Sequence, residues 1–93
     1  MLAEPDGPGP GEDHSLTAHM AARAELAAAY ARAGDLEAAM TTAGPVLALP
    51  PALRSATLPP RLALIRAAVA DPRYDGTARA REFSEALERW TAP

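Results

Sequence analysis

Residues 22–51 read ARAELAAAYARAGDLEAAMTTAGPVLALPP, and the fold follows from how this stretch punctuates itself. Leu16, Met20, Ala24, Ala27 and Tyr30 recur at helical spacing, with Leu26 and Ala33 widening the stripe, which predicts a first helix over roughly 15–33. Ser15 or Asp13 is the expected cap at its start. Gly34 supplies the left-handed residue that ends it, and the Asp35 carboxylate can accept from the free amides of the next helix. That second helix starts at Leu36 and buries Leu36, Ala39, Met40, Ala43 and Leu47. Pro45 has no amide for the Thr41 carbonyl, so the helix either stops near Ala43 or kinks and resumes through Val46 to Leu49; the kink is the expectation. Pro50-Pro51 then ends it, because each proline pushes its predecessor out of the helical region. Two helices joined by Gly34-Asp35 must fold back on one another as a hairpin.

Toward the carboxyl end the punctuation repeats. Residues 52–56 form a connector or a short helical turn, and Thr57 is the expected cap of a third helix, with Pro59 and Pro60 tolerated in a first turn whose amides have no partner. Leu58, Leu62, Ile65 and Val69 line one face of it, and Asp71-Pro72 ends it. Arg73-Tyr74-Asp75-Gly76 is a turn, and Thr77 can cap a fourth helix. Ala80, Phe83, Leu87 and Trp90 share one stripe of that helix, while Arg81, Glu85 and Arg89 form an exposed ladder on the other. The predicted class is all-α, two antiparallel helical hairpins of about four helices.

Residues 1–13, MLAEPDGPGPGED, alternate proline, glycine and acids, with Leu2 the one sizeable apolar residue after the initiator. Such a segment cannot bury enough to offset its ordering entropy, so residues 1–14 are expected to be a disordered acidic tail and 15–93 the helical domain. The roughly 80 residues left to fold draw no more than about 3–5 kcal/mol of net stability from one core, which makes a partner plausible.

The net charge of −3 is unevenly placed: residues 1–13 carry four acids and no base, whereas residues 14–93 carry nine arginines against eight acids. A nearly neutral body offers little phosphate neutralisation, which argues against nucleic-acid binding by this chain. With no cysteine there is neither a disulfide framework nor thiolate chemistry. The start of the chain lacks the basic and apolar regions of a signal peptide, and no apolar run approaches the roughly 18 residues of a membrane helix, so a cytoplasmic protein off the membrane is expected. Twenty-four alanines, nine arginines and no lysine, asparagine or glutamine indicate the codon bias of a GC-rich genome, of the actinobacterial kind.

Leu26, Ala27, Tyr30, Gly34, Asp35, Leu36, Ala39, Val46, Leu49 and Pro51 fall in the pattern L-G/A-x-x-Y-x-x-x-G-D-[aromatic or Leu]-x-x-A followed by a small residue and a terminal Pro. This resembles a tetratricopeptide repeat. The resemblance implies that Leu26 and Tyr30 fill the groove between the paired helices and that Ala27 and Ala39 let the backbones approach. Arg23 and Ala43 stand where the repeat usually has large aromatics, so the hairpin is a degenerate, TPR-like one. The longer order is similar to the C-terminal region of actinobacterial helix-turn-helix transcriptional regulators of the Xre type. It runs from this hairpin through Arg54-Ser55, the helix RLALIRAAV (61–69) and the final helix with Arg81-Glu82-Phe83. That resemblance covers about residues 17–90 and implies an effector half without its DNA-binding domain.

The residues that could carry chemistry are few. His14 and His19 are five apart and diverge by about 140° on a helix, unlike the spacing at which two histidines share a metal. Ser15, Ser55 and Ser84 have no neighbouring base, and the pairs Glu82/Glu85 and Asp71/Asp75 read as a solvated helix face and a turn. No catalytic residue, cofactor or metal is expected. Arg73, Arg79 and Arg81, which flank Tyr74 around the last loop, and Arg23 on the first hairpin are the candidate partner-contacting residues. The expected function is a protein-interaction or sensor module of a transcriptional regulator, its open edge covered by the rest of the regulator or by a second copy in a homodimer. The alternative is a stand-alone scaffold that binds a partner protein or peptide and serves a biosynthetic enzyme as an accessory. Trp90 is expected to seal the last helix against the body.

Overall fold

The structure, a computed structural model, describes the backbone of residues 10–91 and the side chains of residues 16–91. Among these residues the fold is all-helical, with no strand: α1 Pro10–Arg32, α2 Leu36–Leu47, α3 Leu58–Val69 and α4 Ala78–Thr91. Single 3₁₀ turns, Pro51–Leu53 and Pro72–Tyr74, precede α3 and α4. The four expected helices are all present. No described helix is long and apolar enough to cross a membrane.

The start of α1 departs from expectation. The helix begins at Pro10, so residues 10–14, assigned to the tail on composition, are helical, and Asp13 and Ser15 lie inside the helix and do not cap it. Proline is well placed at a first helical position, where the amide it lacks has no partner and its φ is already helical. The rest of the expected tail, residues 1–9, lies outside the described residues.

The corner between α1 and α2 is built as its sequence demands. Gly34 takes φ +90°. Its amide donates to the Ala31 carbonyl at 3.1 Å and the Asp35 amide reaches back to the Tyr30 carbonyl at 2.9 Å, the paired bonds of a Schellman ending. The Asp35 side chain then accepts from the Ala38 amide at 3.1 Å and starts α2. Gly76, φ +79°, makes the corresponding corner ahead of α4, where the Thr77 carbonyl receives the Arg81 amide at 3.1 Å. Thr57 occupies the cap position of α3, but its side chain bonds no helix amide; it is paired at 3.0 Å with Ser55, whose hydroxyl also accepts from the Thr57 amide.

Pro45 does not end α2. The helix runs through it to Leu47, two residues short of the expected Leu49. The turn that proline loosens is braced from outside, because the Arg23 Nε donates to the Thr42 carbonyl at 3.0 Å. This explains an arginine at a position where the resemblance led one to expect an aromatic ring.

Helix α1 is the hub, packed lengthwise against α2 on one side and α3 on another. Its inward residues Ala24, Ala27, Ala28 and Ala31 are fully buried, and the absence of larger side chains lets the neighbouring axes come close. Leu26, expected to fill the groove, is 47% exposed, and Ala33 is exposed too; Tyr30 is only partly buried. The face that meets α3 is made of alanines, which are too weakly apolar to reveal it in the sequence. Helix α4 is held differently, by Phe83, Leu87 and Trp90 projecting from a single stripe. These long side chains keep its backbone farther from α2 and α3 while filling the space between them.

The contacts that α4 and the loop before it make with α1 and α2 keep a nearly constant offset, whereas the α1–α3 bond spans fewer residues. Tyr74 bonds Ala31, Arg79 bonds Glu37 and Trp90 bonds Val46 across 43, 42 and 44 residues, and Arg61 bonds Glu25 across 36. The bonds Glu37–Arg79 and Val46–Trp90 show that α4 runs along α2 in the same direction, and α3 runs along α1 likewise, since Arg61 meets Glu25 and Leu64 and Asp71 share a depression with Arg32 farther on. Helices α3 and α4 are therefore laid alongside α1 and α2 in the same order, although α3 and α4 pack on each other much less extensively than α1 and α2 do. Gly34 and Gly76 lie the same 42 residues apart as Glu37 and Arg79. The stripe Leu16, Met20, Ala27 returns at that spacing as Leu58, Leu62, Val69.

Candidate functional site

The five candidate partner-contacting residues do not form one site. Tyr74 is buried, and its hydroxyl donates to the Ala31 carbonyl at the end of α1, as a second donor beside the Gly34 amide. It is a core residue that pins the second corner to the first. Arg23 is the brace on α2 described above. Arg79 is exposed and forms an ion pair with Glu37 at 2.9 Å, tying α4 to α2. Arg73 lies over the Gly34 corner: its Nη1 is 2.8 Å from the place where a Cβ on Gly34 would stand, and its Nε is 3.4 Å from Asp71. Asp71 also accepts from the Arg73 amide at 2.9 Å. Arg81 is exposed and makes no ion pair among the described residues. Tyr74 and Arg79 thus tie the last two helices to the first two, Arg23 ties α1 to α2, and Arg73 and Arg81 are exposed beside the last loop.

The most organised polar cluster lies at the opposite end of the stack and is centred on Arg54, a residue sequence reasoning noticed only as part of a resemblance. Its Nε donates to the Leu49 carbonyl at 3.0 Å, its Nη1 to the Trp90 carbonyl at 3.3 Å, and the guanidinium sits 4.6 Å from the centroid of the Trp90 ring. Trp90 is 7% exposed, and its indole Nε1 donates to the Val46 carbonyl at 3.2 Å, so it seals α4 as expected. One side chain from the connector therefore joins the end of α2 to the end of α4. Only a faint local signal marks it: an arginine three residues past Pro51 in a chain whose single tryptophan lies close to the last helix end.

A small pocket opens beside this cluster, about 220 Å³, lined by Leu47, Arg54, Ala86, Arg89 and Trp90. A second depression, between α1 and the connector, is bounded by Leu16 and Leu53, both substantially exposed. A third lies along α1 and α3, between Arg32 and Leu64. Among the described residues no three His, Asp or Glu side chains converge as a metal-binding group. His19 lies on α1 and Ser84 on α4, and no hydrogen bond joins them.

Compared with protein-family models, with curated proteins and with solved structures, the chain matches none.

Proposed function

We propose that this chain is a protein-interaction module, the sensor or partner-binding half of a transcriptional regulator. The observation that supports the reading is the parallel stacking of two helical hairpins at a nearly constant offset of 42 to 44 residues along α2 and α4. Stacked hairpins present continuous grooves and ridges, and helical-repeat architectures serve recognition through them. The offset exceeds the roughly 34 residues of a tetratricopeptide repeat. The excess lies in the proline-bearing connector, residues 48–57, so the TPR-like reading is of a lengthened, degenerate pair. The nearly neutral body favours a protein or peptide partner over nucleic acid.

Bacterial two-hybrid pairing of the whole chain against the helix-turn-helix proteins of the same genome tests this. A specific pairing that is lost on Arg73→Glu or Arg81→Glu supports the reading. A folded chain that pairs with none of them overturns the regulator assignment.

A second reading, the stand-alone scaffold, is favoured by the surfaces at the ends of the stack. Phe83, Leu87 and Trp90 carry the second hairpin on the first, whereas the positions 42 residues earlier, Thr41, Pro45 and Ala48, are exposed and offer no comparable apolar bulk. At the other end α4 turns Arg81, Glu85 and Arg89 outward, the polar finish of a terminal repeat. Sedimentation discriminates: a monomer at micromolar concentration favours the scaffold, and a dimer favours the expected association through an open edge.

A further inference from the structure

We infer that the pocket beside Arg54 and Trp90 is a binding site for a small organic carboxylate with a short aliphatic body. The inference goes beyond the interaction-module reading and stands whether or not that reading holds. It begins with an imbalance of charge. Two of the five residues lining the pocket are arginines, and none is an acid. Neither Arg54 nor Arg89 forms an ion pair among the described residues, where four other arginines do. The carbonyls of Leu49 and Trp90 accept from Arg54 but are neutral, so its charge is oriented without being compensated. Glu85, one turn before Arg89 on α4, is exposed and does not line the pocket.

The geometry then sets the ligand. Arg54 is held at Nε, at Nη1 and across its π-face, which fixes the plane of the guanidinium in advance. A fork fixed in this way loses little rotamer freedom on meeting an oxygen anion. Arg89 is exposed on the same rim and can close on the same group. The remaining lining residues, Leu47, Ala86 and Trp90, are apolar in side chain and suit a ligand with a hydrocarbon body. A volume of about 220 Å³ falls below the usual 300–1,000 Å³ of drug-sized sites and admits only a short chain. A free aliphatic acid and the terminal carboxylate of a peptide share this chemistry.

The single tryptophan of the chain lines the pocket and makes it self-reporting. The full-length protein is titrated with hexanoate and, separately, with hexanamide at constant ionic strength, following Trp90 emission and the indole Nε1–H resonance. N-acetyl-leucine, a peptide-end mimic, is the third arm. The expected result is a saturable response to hexanoate and none to hexanamide. Arg89→Gln weakens hexanoate affinity by about tenfold to a hundredfold, the range for losing a charge-assisted hydrogen bond. Its indole resonance, still bonded to Val46, keeps its ligand-free position and shows that the fold is intact. Tighter binding of N-acetyl-leucine than of hexanoate identifies a peptide end as the natural ligand, and the reverse a free acid. An equal response to hexanoate and hexanamide, no saturation at millimolar hexanoate, or an unchanged affinity in Arg89→Gln overturns the proposal.

Discussion

Replacing Arg54 by alanine should cost this domain more than any other substitution at a polar side chain. Three interactions disappear at once: the bond to Leu49 at 3.0 Å, the longer bond to Trp90 at 3.3 Å and the contact with the indole at 4.6 Å. Charged-donor hydrogen bonds contribute about 1.5–3 kcal/mol each when both partners stay dry. Here the side chain is only partly buried, so water can take over the two freed carbonyls, and the two bonds together are worth about 1.5–2 kcal/mol. The indole contact adds about 0.5–1 kcal/mol. The sum, about 2–3 kcal/mol, is a large part of the roughly 3–5 kcal/mol that a core of this size supplies. Urea unfolding followed by both Trp90 emission and far-ultraviolet circular dichroism measures it, and the midpoint should fall with little change in slope. Arg54→Lys keeps a cation near the ring but cannot serve two carbonyls in one plane, so it should recover less than half of the loss. A loss below about 0.5 kcal/mol, typical of a surface substitution, or full recovery by lysine, would refute the view that this fork joins the ends of α2 and α4.

Other substitutions examine the remaining joints. Tyr74→Phe removes one of the two donors to the Ala31 carbonyl, the Gly34 amide remaining, and should destabilise by about 0.5–1.5 kcal/mol in the same unfolding assay. Gly76→Ala, with open space around the new methyl, should lose only the cost of a left-handed alanine, about 1–2 kcal/mol, whereas Gly34→Ala adds the displacement of Arg73. A double-mutant cycle of Gly34→Ala with Arg73→Ala isolates that addition, and a coupling of zero would remove Arg73 from the corner. Ala28→Leu, at a fully buried position on the hub helix, should destabilise by about 1–3 kcal/mol through overpacking. Leu26→Ala should stay within about 0.5 kcal/mol if its side chain stands in solvent as the structure has it, a contrast read from paired urea midpoints.

What the chain disclosed in advance was its punctuation. Gly34-Asp35, Pro50-Pro51, Asp71-Pro72 and Gly76-Thr77 bracket the helices because each acts locally, through a left-handed φ, a missing amide or a capping oxygen. Large apolar residues were equally legible: Phe83, Leu87 and Trp90, and Leu58, Leu62, Ile65 and Val69, are all buried on their expected stripes. Helix α1 was not, since alanine marks a buried face no more strongly than an exposed one, and only the fold separates Ala28, buried, from Ala29, exposed. The polar assignments suffered for a related reason. Arg23 and Arg79 bond partners 19 and 42 residues away, and nothing local distinguishes such an arginine from one that waits for a ligand. Arg54 reaches across 36 residues and was passed over for the same lack of a local sign.

The division of labour between small and large side chains also explains how the four helices are held together. Alanines on α1 bring α2 and α3 close enough for backbone-near packing, but each buries little area, and an alanine seam alone contributes modestly at about 25 cal/mol per Å². Helix α4 makes up the difference with two aromatic rings and a leucine, which between them remove far more surface from water than the alanine seam. Those side chains enter between α2 and α3, which α4 approaches less closely than α1 approaches its neighbours. A third hairpin laid on α4 would meet Arg81, Glu85 and Arg89 and would have to strip their hydration without receiving a ring in return. The outer face of α4 is thus a poorer packing surface for a further helix than the groove that Phe83, Leu87 and Trp90 fill.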